Sequence, residues 1–156
     1  MSVERVIQLA HGGGGRLTRE LIETQIVPRF GQGPLKGLPD GATIPAPGER
    51  LVFTTDSFVV QPLEFPGGNV GDLAVHGTVN DLSVCGGEPK WLSLALILEE
   101  GLRFEVLERV LDSVKRAADE CGVTVATGDT KVVARGQGDG IYINTAGIGA
   151  AYPEFE

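Results

Sequence analysis

Residues 123–133, VTVATGDTKVV, form an apolar run that stops at Gly128 and then presents Asp129, Thr130 and Lys131 in succession. A carboxylate, a hydroxyl and an amine gathered at one point can hold a divalent cation together with the phosphates it neutralises. The run reads as a buried strand delivering that trio. Burial without partners would cost roughly 2–7 kcal/mol per polar group, so the protein itself, water, or a bound ion and its ligand must satisfy them. A metal–nucleotide complex is the reading that best suits these residue types.

Three aspartates depart from their local patterns. Asp56 sits inside a β-rich segment, residues 51–62, between Thr54, Thr55 and Ser57; Asp81 lies within a helical stretch; Asp129 ends the apolar run; and Asp40, in a loop, is a weaker fourth. Mg²⁺ prefers carboxylate and water oxygens and usually takes one or two carboxylates plus substrate phosphates, which makes it an economical reason for such acids in an anion-binding protein. Lys131 would then meet phosphate as a point charge. The opposing reading is three unrelated turn and cap residues, and spacing alone leaves the two level because sequence separation says nothing about convergence in space.

His11 precedes Gly12, Gly13, Gly14 and Gly15, and Arg16 opens a helical stripe. A glycine run followed by a helix N-terminus is a possible phosphate cradle, since exposed amides and the helix dipole both favour anions. The plainer alternative is a flexible arm, and His11 taken alone reads as a loop residue. No Cys/His metal spacing, Walker motif or dinucleotide glycine motif is present.

The elements that must position these residues follow from periodicity. Residues 3–9 read as a short extended piece. Residues 16–30 carry apolar positions at Leu17, Leu21, Ile22, Ile26, Val27 and Phe30, a helical stripe. Residues 31–48 are rich in Gly and Pro and read as a loop. FPGGN at 65–69 reads as a turn and helix start, with Asp72 in the favourable first turn. The helix running to about Cys85 contains Gly77, Asn80 and Asp81, poor helix residues with no capping role, an inconsistency of the kind functional sites create. Gly86 and Gly87 end it. WLSLALIL at 91–98 has the pattern of a strand covered on both faces. Residues 104–121 form the clearest amphipathic helix, closed by Gly122, and a last strand covers residues 141–150. The order is β, α, β, α, β, β after an N-terminal helix.

At 156 residues, with 42% hydrophobic and 22% charged residues, the chain is expected to be one soluble domain. Its 23 glycines are about twice the usual share and are clustered. A net charge of −8 argues against nucleic acid, which needs an excess of Lys and Arg on some face. Two cysteines, Cys85 and Cys121, are too few for a disulfide framework and point to a reducing compartment, by default the cytoplasm. No signal peptide or membrane-length apolar run is read, so no membrane association is expected. An open sheet with apolar strands and two main helices needs further cover, and a two-fold dimer is expected to supply it.

HGGGGR at 11–16, TTDSFVVQPLEFPGGNVG at 54–71, GTVNDLSVCGG at 77–87, ILEEGL at 97–102, TGDTKVV at 127–133 and INTAGIG at 143–149 together resemble the HypE family of hydrogenase maturation proteins. That family belongs to the superfamily of aminoimidazole ribonucleotide synthetase, selenophosphate synthetase and thiamine-monophosphate kinase. The resemblance implies an α/β (α+β) fold: a single domain with a mixed β-sheet packed by helices, like the N-terminal domain of aminoimidazole ribonucleotide synthetase, whose sheets close together in a two-fold dimer. It implies an ATP-dependent carbamoyl dehydratase of [NiFe]-hydrogenase assembly, converting a thiocarboxamide on its C-terminal cysteine to a thiocyanate, the precursor of an iron-bound cyanide. The implied cofactors are ATP and Mg²⁺, and the implied partners are a second copy, the carbamoyltransferase HypF and the HypC–HypD scaffold.

Carried across, Asp40, Asp56, Asp81 and Asp129 match metal-binding positions. Asp56, Asp81, Asp129, Thr130, Lys131, Gly12, Gly13, Gly14, Gly15 and Arg16 match the nucleotide site, and Lys131 and His11 are the catalytic candidates. Family members carry a second domain and a terminal cysteine, whereas this sequence stops at Glu156 in AAYPEFE. Residues 1–156 are therefore expected to be the N-terminal ATP-binding and dimerisation domain, inactive alone. The alternatives are a dimeric nucleotide-binding or scaffold module without turnover, or another superfamily reaction such as selenophosphate synthesis. The latter is disfavoured by a glycine loop that lacks a Cys or selenocysteine with a Lys.

Overall fold

The computed structural model describes residues 5–154. Residues 3 and 4 of the expected extended piece lie outside the described residues; within it, Val6 bridges Arg103 and Leu9 enters a 3₁₀ turn, Leu9–Gly12. The stripe at 16–30 is helical but not continuous: α1 (Arg16–Leu21), a π-helical turn (Ile22–Ile26) and α2 (Val27–Phe30) follow one another. The sequence holds the reason in Pro28. Its ring has no N–H to donate and would collide with the carbonyl four residues back, and widening the preceding turn to the π form relieves both faults.

β1 (Leu51–Phe58) is followed by a two-residue ladder of β2 (Glu64–Phe65) and β3 (Gly68–Asn69), which leads into α3 (Val70–Val84). The start of α3 is fixed by Asn69, whose side chain accepts from the Gly71 and Asp72 amides while Asp72 accepts from the Asn69 amide at 2.9 Å. β4 (Gly87–Glu99), α4 (Phe104–Cys121), β5 (Thr124–Val133) and β6 (Ile141–Ala151) complete the chain. Gly122 ends α4 in the left-handed conformation at φ 67°, as expected from its place after the apolar stripe.

The four-stranded sheet runs β1-β6-β4-β5, with β1 and β4 antiparallel to β6 and β5 parallel to β4. α4 is the crossover that the parallel pair requires. α3 and α4 pack together on one face, and the core between them and the sheet includes Val75, Leu96, Leu98, Leu107, Leu111 and Ile143. Thr78 and Thr145, both fully buried, share a hydrogen bond beneath α3, and Thr145 also donates to the Ala74 carbonyl at 3.2 Å.

One expectation is corrected here. The run at 91–98 is covered on one face only: Leu92, Leu94, Leu96 and Leu98 are buried, while Ser93 and Ala95 are half-buried and Ile97 is exposed. The run is apolar throughout because both faces avoid charge, yet a single copy has helices for only one of them. The open face also carries Leu51 and Phe53, the latter 68% exposed. Among the described residues no helix is long and apolar enough to cross a membrane.

Candidate functional site

β5 is an edge strand, and the N-terminal segment closes over it. Gly12 lies so close to β5 that a Cβ there would stand 2.7 Å from the Val132 nitrogen. Between this segment and the sheet is a cavity of 460 Å³. Its apolar wall is made by Ile22, Ile26, Phe30 and Leu35 facing Leu94 and Leu96, and its polar end by Gly12, Gly14, Thr18, Asp40, Asp129, Thr130 and Lys131. The π-helical turn contributes Ile22 and Ile26, so the irregularity forced by Pro28 also shapes this wall.

Strand alternation puts Asp129 and Lys131 on one side of β5 and Gly128 and Thr130 on the other. Lys131 Nζ donates to the Asp129 carboxylate at 3.0 Å. The trio therefore reaches the cavity's polar end split between the two faces of β5, and Gly128 and Asp129 are exposed, so the cost of burial expected from the sequence does not arise; the buried run ends at Ala126. At Gly128 the backbone approaches β4 so closely that a Cβ would lie 2.3 Å from the Leu94 carbonyl oxygen. Glycine is what permits the strand to present Asp129 next to this contact.

Asp56 and Asp81 occupy a second neighbourhood at the opposite edge. Thr54 donates to Asp81 Oδ2 at 3.5 Å, and Asp56 accepts the Ser57 amide at 2.7 Å. Gly77, one turn before Asp81, lets α3 settle on β1: a Cβ there would meet the Phe58 ring at 2.9 Å, with Asp56 Oδ2 at 3.9 Å. The poor helix residues Gly77 and Asp81 thus face β1, whereas Asn80 is exposed.

The expected gathering of Asp40, Asp56, Asp81 and Asp129 around one ion does not occur within one copy. Asp56 stands opposite Thr145, its neighbour Asn144 opposite Ala95, and Ala95 opposite Asp129, so the two acids are one residue out of level, on opposite faces of the sheet, and three strands apart. That is about 14 Å at ordinary strand spacing. Asp40 and Asp129 share the cavity; Asp56 and Asp81 share the β1 edge. Among the described residues no three His, Cys, Asp or Glu side chains form a metal-holding set.

The glycine loop divides as well. Gly12 and Gly14 line the cavity, and the Gly14 amide donates to Thr18 Oγ1 at 2.9 Å. Gly13 and Gly15 are exposed outside the lining, and Arg16 points to solvent, 3.6 Å from Glu20. His11 is only 7% exposed, and its ring meets Phe104 edge-on at 5.5 Å. Its Nδ1 accepts the Gln8 amide at 2.8 Å and lies 3.2 Å from the Gln8 carbonyl oxygen, so the ring is held against the start of its own turn. The residue is a packed part of the 3₁₀ turn and is not among the cavity-lining residues. Thr18, the apolar wall and Leu38, which lines the cavity with a positive φ of 53°, were not anticipated from sequence. The one local clue was Pro28 within a helical stripe.

The family described as AIR synthase related protein, N-terminal domain, matches residues 39–151. The chain belongs to this family. Among curated relatives, carbamoyl dehydratase HypE of Rhodobacter capsulatus is 50% identical over 152 residues, 94% of this chain and 44% of that protein. A crystal structure of the hydrogenase maturation protein HypE in complex with ATP matches with a TM-score of 0.90 at 48% identity, covering 93% of this chain and 43% of that one. A HypE–HypF complex matches with a TM-score of 0.65 at 43% identity over 88% of this chain and 43% of that one. The chain spans less than half the length of these relatives. Its mixed sheet packed by helices is the AIR synthase-related N-terminal fold expected from the sequence.

Proposed function

We propose that this chain is the Mg–ATP-binding half of a HypE-type carbamoyl dehydratase of [NiFe]-hydrogenase maturation. The observation that carries the reading is the likeness to HypE in complex with ATP across nearly the whole chain, joined to a cavity whose polar end holds Asp129, Thr130 and Lys131 beside Gly12 and Gly14. The donor set suits Mg²⁺ on a nucleotide. That ion takes one or two carboxylates and fills its remaining positions with phosphate and water oxygens, so a three-residue protein cage is not required.

In this reading Lys131, oriented by Asp129, meets a phosphate as a compact positive charge. Asp129 and Asp40 hold cation from one side, and Asp56 and Asp81 supply the other carboxylates. Because those pairs sit at opposite sheet edges, a second copy bringing its β1 edge to the first copy's β5 edge completes each site. The open face with Leu51, Phe53 and Ile97 is the surface for that two-fold dimer. Gly14 must exchange its bond to Thr18 for phosphate if the loop is to cover the ligand. ATP, when bound, supplies the phosphoryl group that turns an amide oxygen into a leaving group, so that loss of phosphate from the thiocarboxamide leaves a nitrile. HypF is the carbamoyl donor and HypC–HypD the acceptor scaffold in this scheme, placed in the reducing cytoplasm.

Isothermal titration with ATP in Mg²⁺ and in EDTA tests the site. Binding is expected to need Mg²⁺ and to weaken in Asp56→Ala. Equal binding in EDTA together with an unaltered Asp56→Ala variant would sink it.

A further inference from the structure

The chain contains two histidines and two cysteines, and one of each meets away from the cavity. Cys121 Sγ, on the last residue of α4, stands 3.6 Å from Nδ1 of His76 in the middle of α3. We propose that His76 and Cys121 form a binding site for a thiophilic divalent cation of the zinc type, with the remaining coordination positions open to water or an outside ligand.

The distance is the first argument. Zn–S of about 2.3 Å and Zn–N of about 2.0–2.1 Å at a tetrahedral angle place the two donor atoms about 3.5 Å apart. The observed separation admits one ion between them with almost no movement. The second argument is rigidity. Ala74, Val75 and Thr78 around His76, and Ala117 and Ala118 before Cys121, are buried, so neither helix can drift at this level. One turn before His76, Asp72 is paired with Arg116 of α4 at 2.6 Å, which clamps the same two helices beside the site. The third is access and charge. His76 is exposed and Cys121 half-buried, so an ion reaches them from solvent, and the Glu120 carboxylate next to Cys121 favours a cation.

Burial first, and Glu120 second, push the Cys121 thiol above its ordinary range. Cysteine ligates a metal as the thiolate, so the ion has to displace the thiol proton. Asp72 is already committed to Arg116 and to the Asn69 amide, and Arg116 also lies 3.9 Å from Glu120, so two protein ligands define the site. This is consistent with no three-ligand set among the described residues.

Thiol alkylation followed by peptide mass spectrometry on the full chain, with and without Zn²⁺, tests the proposal, and exposed Cys85 serves as the internal reference. Zn²⁺ is expected to slow alkylation of Cys121 and to leave Cys85 unaffected. In His76→Ala the Zn²⁺ concentration giving half-protection is expected to rise by about tenfold or more. Co²⁺ is expected to give a thiolate-to-metal charge-transfer absorption in Cys85→Ser that disappears in Cys121→Ser. Far-ultraviolet circular dichroism establishes that each variant is folded. Absence of protection, equal protection of both thiols, or undiminished protection in folded His76→Ala overturns the site.

Discussion

Gly128→Ala is the sharpest single test of how the edge strand is held. The added methyl would stand 2.3 Å from the Leu94 carbonyl oxygen, whereas carbon and oxygen ordinarily come no nearer than about 3.3 Å. The obstacle is backbone of the neighbouring strand, so no rotamer change relieves it, and β5 must move away from β4 by about 1 Å. Such overpacking costs about 1–3 kcal/mol. Loss of glycine's freedom in the unfolded chain returns about 0.4–1 kcal/mol. A net destabilisation of roughly 1–2 kcal/mol corresponds, for a domain of this size, to a Tm lower by about 2–8 °C. Thermal unfolding followed through Trp91 is the assay, because the chain's single tryptophan lies in β4 opposite Thr124 of β5. Gly13→Ala is the control: its Cβ would meet nothing closer than the Ala10 carbonyl at 3.7 Å, with φ at −86°, and its Tm is expected to stay near the parent's. A Gly128→Ala protein as stable as the parent would refute the packing argument.

Three further outcomes follow from other contacts. Thr145→Val leaves the buried Thr78 hydroxyl without its partner and is expected to cost about 1–3 kcal/mol in chemical denaturation, with the Thr78→Val/Thr145→Val pair costing less than the sum of the singles. Arg109 donates to both oxygens of Glu64, at 2.6 and 2.8 Å, and this hydrogen bonding holds the Glu64 carboxyl below its ordinary range. A depressed carboxyl contributes stability at pH values above its unfolded pKa and loses it as pH falls through the folded one. The Tm gap between parent and Arg109→Ala should therefore be present at neutral pH and close in acid. It should also shrink in high salt; a gap independent of both would contradict the pairing. Phe53→Glu, on the open face, is expected to leave the fold intact and to convert a dimer into a monomer in sedimentation experiments, whereas a monomeric parent at micromolar concentration would remove the basis for a shared site.

The amphipathic stripe of 104–121, the glycine after it, the start of α3 at Asn69 and the order of strands and helices could all be read from sequence. Each rests on nearest-neighbour physics: side-chain period, capping and the conformations glycine and proline allow. The family could be read from motifs such as TGDTKVV, and the family match over 39–151 agrees. Pro28 was equally visible, but its effect depends on a helix continuing on both sides of it.

Tertiary structure alone decided which acids meet. Nothing local to Asp56 or Asp129 states that β6 and β4 will lie between their strands, because strand order comes from long-range pairing and the burial of a whole face. The same applies to His11, whose catalytic candidacy came with the resemblance and whose packing on Phe104 only the folded chain reveals. It applies again to His76 and Cys121, 45 residues apart and brought together only because α3 and α4 pack side by side. The sequence by itself determined which groups this protein possesses and which element carries each. Which of them share a place was set by how the sheet orders its strands and by which of its two faces the helices cover.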